Sequence, residues 1–152
     1  MKKLAYNKRA RYDYDILEKL EAGLILTGAE VKSIKQGNIS LKGSYVTLKK
    51  TDKELPEAWL INTHISKYKP AGDQPDYDPE RSRKLLLNKK EINHLIGKKQ
   101  EQSLTIIPLS VYTKRSRIKL KIGLGRGKKK YEKRESIKKR EADRKIRRAL
   151  KN

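Results

Sequence analysis

Apolar and polar residues alternate over several short stretches of the chain, a pattern typical of half-buried β-strands. The longest stretch spans residues 12–26, where most even positions are apolar. Similar patterns predict strands over 44–49, 58–65, 104–113 and 117–124, and residues 83–87 fit either a buried strand or the front of a helix. In the strand over 117–124, isoleucine and leucine alternate with lysine, so one face is apolar and the other is basic.

Two short helices are predicted from capping signals. In a capping box, a Thr or Asn side chain and a Glu three residues later each satisfy a backbone N–H of the first helical turn. This pattern occurs at 27–30 and again at 88–91. It predicts helices over 28–36 and 89–96, with Gly97 ending the second. Strands and helices together predict a mainly β, α+β domain, most simply a small closed barrel with helices set around it.

The charge of the chain is strongly positive and is densest near its C-terminal end. The 152 residues carry 40 Lys and Arg against 18 Asp and Glu, a net charge of +22. Residues 126–152 alone hold 14 basic and 4 acidic side chains. We therefore predict a folded domain over 1–125 and a basic tail over 126–152, disordered when free and helical along a phosphate-lined surface. The sequence pI near 10.1 indicates a polyanionic partner, either nucleic acid or an acidic membrane face.

Missing residue types exclude several classes of protein. Without cysteine there is no disulfide, thiol catalysis or thiolate metal site, and His64 and His94 alone cannot build a zinc site. No run of about 18 apolar residues and no secretory signal is present, so a soluble protein is expected. Residues 123–127 are rich in glycine but match neither a Walker A loop nor a dinucleotide fingerprint, and are interpreted as a flexible exit from the domain. No cofactor or metal is predicted.

Glu21 is the most informative residue of the predicted domain. An acid on the outer face of a strand is an unfavourable choice for binding phosphates in so basic a protein. A carboxylate can, however, accept hydrogen bonds from the exocyclic amines of bases or from a 2′-hydroxyl, and Gly23 on the same face would allow close backbone approach. The alternative interpretation is that Glu21 pairs with a neighbouring Lys or Arg.

Short motifs occur along the chain in a definite order. They are Asn7-Lys-Arg-Ala-Arg11, Glu21-Ala-Gly23-Leu, Gly28-Ala-Glu-Val-Lys-Ser33, Ser44-Tyr-Val46, Asp78-Pro, Arg83-Lys-Leu-Leu-Leu-Asn88, and residues 123–130 followed by Glu132-Lys-Arg134. As a set, over about residues 7–149, they resemble the bacterial SsrA-binding protein family, also called small protein B.

The resemblance implies a closed, oligonucleotide-binding (OB)-like barrel in a Greek-key arrangement and a cytoplasmic protein that is not an enzyme. Proteins of this family bind the tRNA-like domain of transfer-messenger RNA. They deliver it to ribosomes stalled on messages without a stop codon, where the nascent chain is tagged and the ribosome is freed. The barrel replaces the missing anticodon arm, and the basic tail enters the empty message channel as a helix, next to the small-subunit decoding region. The expected partners are therefore this RNA and the stalled ribosome, without a membrane, and a monomer is expected.

The same motifs imply which residues bind. By position, Asn7, Glu21, Leu86 and Asn88 fall where the family contacts the tRNA-like domain, and Gly23 lies beside them. Charge and proximity to these motifs add Lys8, Arg9, Arg11, Lys32, Arg83 and Lys84 as phosphate partners. In the tail, the family's ribosome-binding block matches Arg126, Gly127, Lys128, Lys129, Lys130, Tyr131, Lys133 and Arg134. Tyr131 replaces a His of several relatives, which keeps a stacking ring but removes the imidazole, and Glu132 replaces the commoner Asp.

Three other functions fit parts of the sequence. A constitutive ribosomal or RNA-coating protein would have the same charge and tail. An RNA-processing enzyme would need a metal-binding cluster among Asp13, Asp15, Asp76 and Asp78. The tail could also bind an acidic membrane surface through its charge alone.

Overall fold

The computed structural model describes residues 1–151, which form four α-helices and nine β-strands. In chain order the elements are β1 (Lys2–Tyr6), α1 (Ala10–Asp13), β2 (Tyr14–Leu24), α2 (Gly28–Lys35), β3 (Ile39–Ser40), β4 (Tyr45–Lys49), β5 (Glu57–Ile61), β6 (His64–Ile65), a 3₁₀ turn (Lys69–Ala71), β7 (Arg83–Leu86), α3 (Lys89–Gln102), β8 (Thr105–Lys114), β9 (Arg117–Gly127) and α4 (Lys130–Lys151). Residues 83–87, whose sequence fits either a buried strand or the front of a helix, form strand β7 over Arg83–Leu86.

Seven strands form one antiparallel sheet in the order β1-β8-β9-β2-β7-β5-β4, and β3 and β6 form a separate pair. The prediction of a mainly β, α+β domain is confirmed. Within residues 1–151 the hydrogen-bonded order ends at β1 and β4, so hydrogen bonding does not close the sheet into the predicted barrel.

One face of the sheet carries the main core. Alternate residues of β9 supply its centre, with Leu120, Ile122 and Leu124 all at most 1% exposed. Helices α2 and α3 each add a fully buried side chain, Ile34 and Leu95. The opposite face has a second, smaller cluster of Ala10, Ile107 and Leu109, against which Tyr14 and Ile16 pack. The apolar positions that predicted the strands are therefore buried in β8 and β9 and mostly half-buried in β2.

Several predicted boundaries differ from the structure. The strand over 12–26 begins only at Tyr14, because the backbone N–H of Asp13 donates to the carbonyl of Arg9 and forms the short α1. The strand over 58–65 is divided by Asn62, whose φ of 60° turns the chain. Strand β1 was not predicted at all. It pairs with β8, a contact that depends on a strand more than a hundred residues away.

The predicted end of the second helix is also wrong. Gly97 lies within α3, which continues to Gln102 and is followed by Ser103 in the left-handed region, with a φ of 52°. Both capping boxes are confirmed: the side-chain oxygens of Thr27 and Asn88 accept from the N–H groups of Glu30 and Glu91, and each Glu carboxylate accepts in return.

The glycines over 123–127 are not the predicted flexible exit. Gly123 and Gly125 are buried within β9, under the smaller apolar cluster. A Cβ at Gly123 would lie 3.0 Å from Leu109 Cδ1, and one at Gly125 would lie 2.9 Å from Ile107 Cδ1. Glycine therefore allows this close packing, because a larger residue would push these side chains aside and, at Gly125, would also lie 3.2 Å from the backbone oxygen of Asp15. Strand β9 continues to Gly127, two residues past the predicted limit of the domain at 125.

Candidate nucleic-acid interface

The outer face of β2 and β7 unites three of the predicted RNA-binding residues. Gly23 of β2 pairs directly with Leu86 of β7, and Glu21 lies two residues away on the same face. A Cβ at Gly23 would lie 3.2 Å from Leu86 Cβ, so the glycine gives the leucine room. Leu86 is 53% exposed, an apolar side chain available to a partner. Lys84 lies two residues before Leu86, on the same face, and its Nζ is 3.3 Å from Glu57 Oε1.

Strand β9 adds lysines to this face. In the sheet register Lys121 is opposite Glu21, and Lys119 is opposite Gly23. Lys19 precedes Glu21 by two residues on β2 and is exposed. These three lysines were not among the predicted site residues, although the alternation of lysine with isoleucine and leucine in β9 had indicated a basic face. The result is a basic sheet surface with one carboxylate inside it.

Glu21 is held by two neighbours. The hydroxyl of Tyr112 on β8 donates to Glu21 Oε2, and Lys114 Nζ lies 3.4 Å from Glu21 Oε1. The hydrogen bond from Tyr112 lowers the pKa of Glu21; burial opposes this, and the charges of Lys114 and Lys119 assist it. Burial and the carboxylate together raise the pKa of Tyr112, which keeps its proton on the phenol. The ion pair proposed as the alternative interpretation therefore exists, but the side chain of Glu21 is still 35% exposed.

Asn7 and Arg11 reach the same face from its other end. They line a small groove of about 90 Å³ together with Lys3, Lys19 and Lys121. The side-chain amide of Asn7 donates to the carbonyl of Pro108 at 2.8 Å, so it attaches the segment between β1 and α1 to β8. Through this hydrogen bond, Asn7 stabilises the backbone at this end of the basic face.

Other predicted residues lie elsewhere. Lys8 and Arg9 line a larger cleft of about 770 Å³ with Tyr14 and Tyr45, which adjoins the small groove at Asn7. Lys32 is exposed on α2, with its Nζ 5.7 Å from the centre of the Tyr68 ring. Asn88 is exposed two residues after Leu86, where its side chain caps α3.

The prediction that Arg83 binds phosphate is wrong. Its side chain is 0% exposed and its guanidinium is fully engaged inside the protein. Nε and Nη2 donate to Glu30 Oε2 at 2.8 and 2.6 Å, and Nη1 donates to the carbonyl of Thr63 at 2.6 Å. The charge is buried because it is paired with a carboxylate that is buried as well. No sequence signal distinguished it from the neighbouring surface lysine.

The basic tail begins against α1. The backbone N–H of Lys128 donates to the carbonyl of Asp13 at 2.9 Å, and Lys133 Nζ lies 3.5 Å from Asp13 Oδ1. Arg126 and Gly127 end β9, whereas Lys130, Tyr131, Lys133 and Arg134 belong to the first turns of α4. Lys129 lies between them, and its N–H donates to Glu132 Oε2 at 2.9 Å. All residues over 137–151 are exposed, and they include eight Lys and Arg against two acids.

The carboxylates considered for metal binding do not come together as a set. Asp13 is paired with Arg9 and Lys133, and Asp76 and Asp78 lie in the segment before β7. Over residues 1–151 there is no group of three or more His, Asp and Glu placed to hold a metal ion. Of the helices described in that range, none is long and apolar enough to cross a membrane.

A basic sheet face around one positioned carboxylate, followed by an exposed basic helix, is characteristic of nucleic-acid-binding proteins. The comparison with known families is specific. The chain belongs to the SmpB protein family, whose family model matches residues 4–152. The predicted resemblance is thereby confirmed.

Its relatives carry the name SsrA-binding protein. One from Sulfurihydrogenibium is 51% identical over 150 residues, covering 99% of this chain and 95% of the relative. Others from Trichormus variabilis and Enterococcus faecalis are 50% and 48% identical, covering 96% and 99% of this chain and 91% and 94% of their own. A solved structure described as "tmRNA-SmpB: a journey to the center of the bacterial ribosome" matches with a TM-score of 0.62 and 41% identity, over 82% of this chain and 84% of that one.

Proposed function

We propose that this protein is an RNA-binding adaptor for ribosome rescue. It binds the tRNA-like domain of transfer-messenger RNA and delivers that RNA to stalled ribosomes, where the nascent chain is tagged. Membership of the SmpB family, the relatives' name and the subject of the matching structure support this function. The observation in the molecule that carries it is the basic sheet face that surrounds Glu21, Gly23 and Leu86.

The residues of the proposed binding surface have different roles. Lys19, Lys119 and Lys121 attract the phosphate backbone, which gives affinity without sequence preference. Glu21 accepts hydrogen bonds from base amines or a 2′-hydroxyl, and Leu86 supplies an apolar contact. Asn88, Lys84, Asn7 and Arg11 extend this surface in our proposal. Lys8, Arg9 and Lys32 lie outside it and serve as further phosphate contacts.

An OB-like, Greek-key barrel that hydrogen bonding within residues 1–151 leaves open between β1 and β4 is also part of the proposal. Backbone atoms of β4 and β8 come within 8 Å of each other, although no ladder joins them. An OB barrel is a partly open Greek-key barrel, so an incomplete ladder is compatible with it.

We propose further that the tail, residues 126–152, acts on the ribosome. Its exposed part over 137–151 has only a short apolar side, formed by Ala142, Ile146, Ala149 and Leu150, and all four are exposed rather than packed against the domain, so a phosphate-lined channel is the surface that would order it. Disorder when free and helix formation in the empty message channel belong to this proposal. The residues over 126–134 would then sit at the decoding region. The activity is binding and delivery rather than catalysis, and it takes place in the cytoplasm.

Selective RNA binding tests the function. The complex with a transcript of the tRNA-like domain is measured at physiological salt with an excess of bulk tRNA. Glu21→Ala should weaken it by about 1–3 kcal/mol, roughly 5- to 150-fold. Glu101→Ala is the matched control, since it removes the same charge from the exposed end of α3. If bulk tRNA displaces the complex in proportion to its phosphate, the protein is a general RNA-coating protein and the proposal is wrong.

The tail is tested separately. Truncation after Gly127 should leave affinity for the tRNA-like domain nearly intact and abolish tagging in a reconstituted stalled-ribosome reaction. A wholesale loss of RNA affinity would contradict the proposed separation between domain and tail.

A further inference from the structure

Tyr112 is a buried residue with its hydroxyl directed to the proposed RNA surface. It is 3% exposed, and its hydroxyl donates to Glu21. The two residues lie on strands that are not neighbours, because β9 runs between β8 and β2. In the register Tyr112 is opposite Lys119, whereas Glu21 is opposite Lys121, so the tyrosine reaches diagonally across β9. Lys121 Nζ lies 5.8 Å from the centre of its ring.

This contact restricts a side chain that is otherwise free to move. A glutamate with a third of its side chain exposed loses rotamer freedom when a ligand binds it. The ring of Tyr112 is held by the sheet, so its hydroxyl restrains one carboxylate oxygen before RNA arrives. Lys114 contacts the other oxygen only at 3.4 Å. Each carboxylate oxygen has two lone pairs, so both can accept further hydrogen bonds from a ligand.

We infer that Tyr112 is a positioning residue for RNA recognition: its buried hydroxyl holds the carboxylate of Glu21 in the orientation that meets the bases or 2′-hydroxyls of the RNA. The inference rests on the proposed function, since it assigns Tyr112 a role through Glu21. Tyr112, which would position Glu21 for selective binding, lies on β8, a strand that no predicted RNA-binding residue occupies.

Tyr112→Phe tests the inference, because it removes only the hydroxyl and keeps the packed ring. The probe is a transcript of the tRNA-like domain. Affinity should fall on the order of tenfold, since a hydrogen bond to a charged group is lost. Tyr77→Phe is the matched control: its hydroxyl donates to the carbonyl of Ile65 at 2.8 Å and lies 3.3 Å from the carboxylate of Glu30, but within the core cluster around Arg83. It should lower the unfolding temperature and leave RNA affinity within about twofold.

Two further measurements separate positioning from simple stabilisation. In the Glu21→Ala background, Tyr112→Phe should change affinity less than about twofold, because it has no carboxylate left to orient. In the wild-type background it should move the acid-side loss of RNA binding to higher pH, because Glu21 would titrate nearer its ordinary pKa. A pH profile of binding shows this shift, and circular dichroism over the same pH range must show both proteins folded, because a destabilised variant would unfold and lose binding at a higher pH as well.

The outcomes are distinguishable. If Glu21→Ala itself leaves the affinity unchanged, the proposed site fails and the inference fails with it. If Glu21→Ala weakens binding and Tyr112→Phe does not, the proposed site stands and the role of Tyr112 is refuted. Equal losses from Tyr112→Phe with and without Glu21 would show that Tyr112 acts independently of Glu21, which also overturns the inference.

Discussion

Replacing Glu30 with alanine should strongly destabilise the protein, because it leaves a buried arginine without its counter-charge. The side chains of Glu30 and Arg83 are both 0% exposed, and Arg83 makes two of its hydrogen bonds to Glu30. Arg81 adds a second ion pair, and the hydroxyl of Tyr77, which donates to the carbonyl of Ile65, lies 3.3 Å from the same carboxylate. Breaking a buried pair from one side costs about 3–5 kcal/mol, whereas exposed pairs contribute at most about 1 kcal/mol.

The chain offers a matched control for this effect. Glu91 occupies the same position in the capping box of α3 as Glu30 does in that of α2, but its box is exposed. Glu91→Ala should therefore cost only the capping contribution, about 1 kcal/mol. For a chain of this length, 3–5 kcal/mol corresponds to a fall of roughly 10 °C in unfolding temperature. Urea unfolding at pH 7, followed by circular dichroism, measures both variants.

Two results would refute the reasoning. Equal losses for Glu30→Ala and Glu91→Ala would mean that the ion cluster adds nothing beyond capping. The double variant Glu30→Leu with Arg83→Met replaces both charges by apolar side chains of similar size, and it should recover most of the lost stability. If it is less stable than Glu30→Ala alone, the unpaired charge is not the cause of the loss.

The remaining predictions concern pH and two glycines. The pKa of Glu30 lies below its ordinary 4.5, because the hydrogen bonds from Arg81, Thr27 and Arg83 outweigh the opposing effect of burial. The contribution of Glu30 to the free energy of unfolding is thus complete above pH 4.5 and is lost as the pH falls through the lowered pKa. When the unfolding free energy is measured over this acid range, Glu30→Gln should lose less of it than the wild type does. Gly125→Ala should destabilise by about 1–3 kcal/mol, because its Cβ would lie 2.9 Å from Ile107 Cδ1 and 3.2 Å from the backbone oxygen of Asp15, which cannot rotate away, and urea unfolding measures the change. Gly97→Ala should stabilise α3 by about 0.5–1 kcal/mol in the same assay, since no atom lies within 4 Å of its Cβ.

The parts of this protein that were predictable from sequence are those set by neighbouring residues. Both capping boxes, at 27–30 and 88–91, depend on side chains three positions apart, and both formed as expected. The alternation in β9 correctly placed lysines on one face and apolar residues on the other. The order of short motifs identified the family, because a set of spaced motifs carries much more information than any one of them.

Tertiary structure decided what each charged or small residue does. Arg83 and Lys84 are neighbours of the same charge, yet they lie on opposite sides of β7: the first is buried against Glu30, and the second is partly exposed on the basic sheet face. Gly125 lies against Ile107 of another strand, and the carboxylate of Glu21 accepts a hydrogen bond from Tyr112, 91 residues away. Such pairings arise from strand order and register. A strand's own sequence states which residues share a face, but not which partner that face will meet.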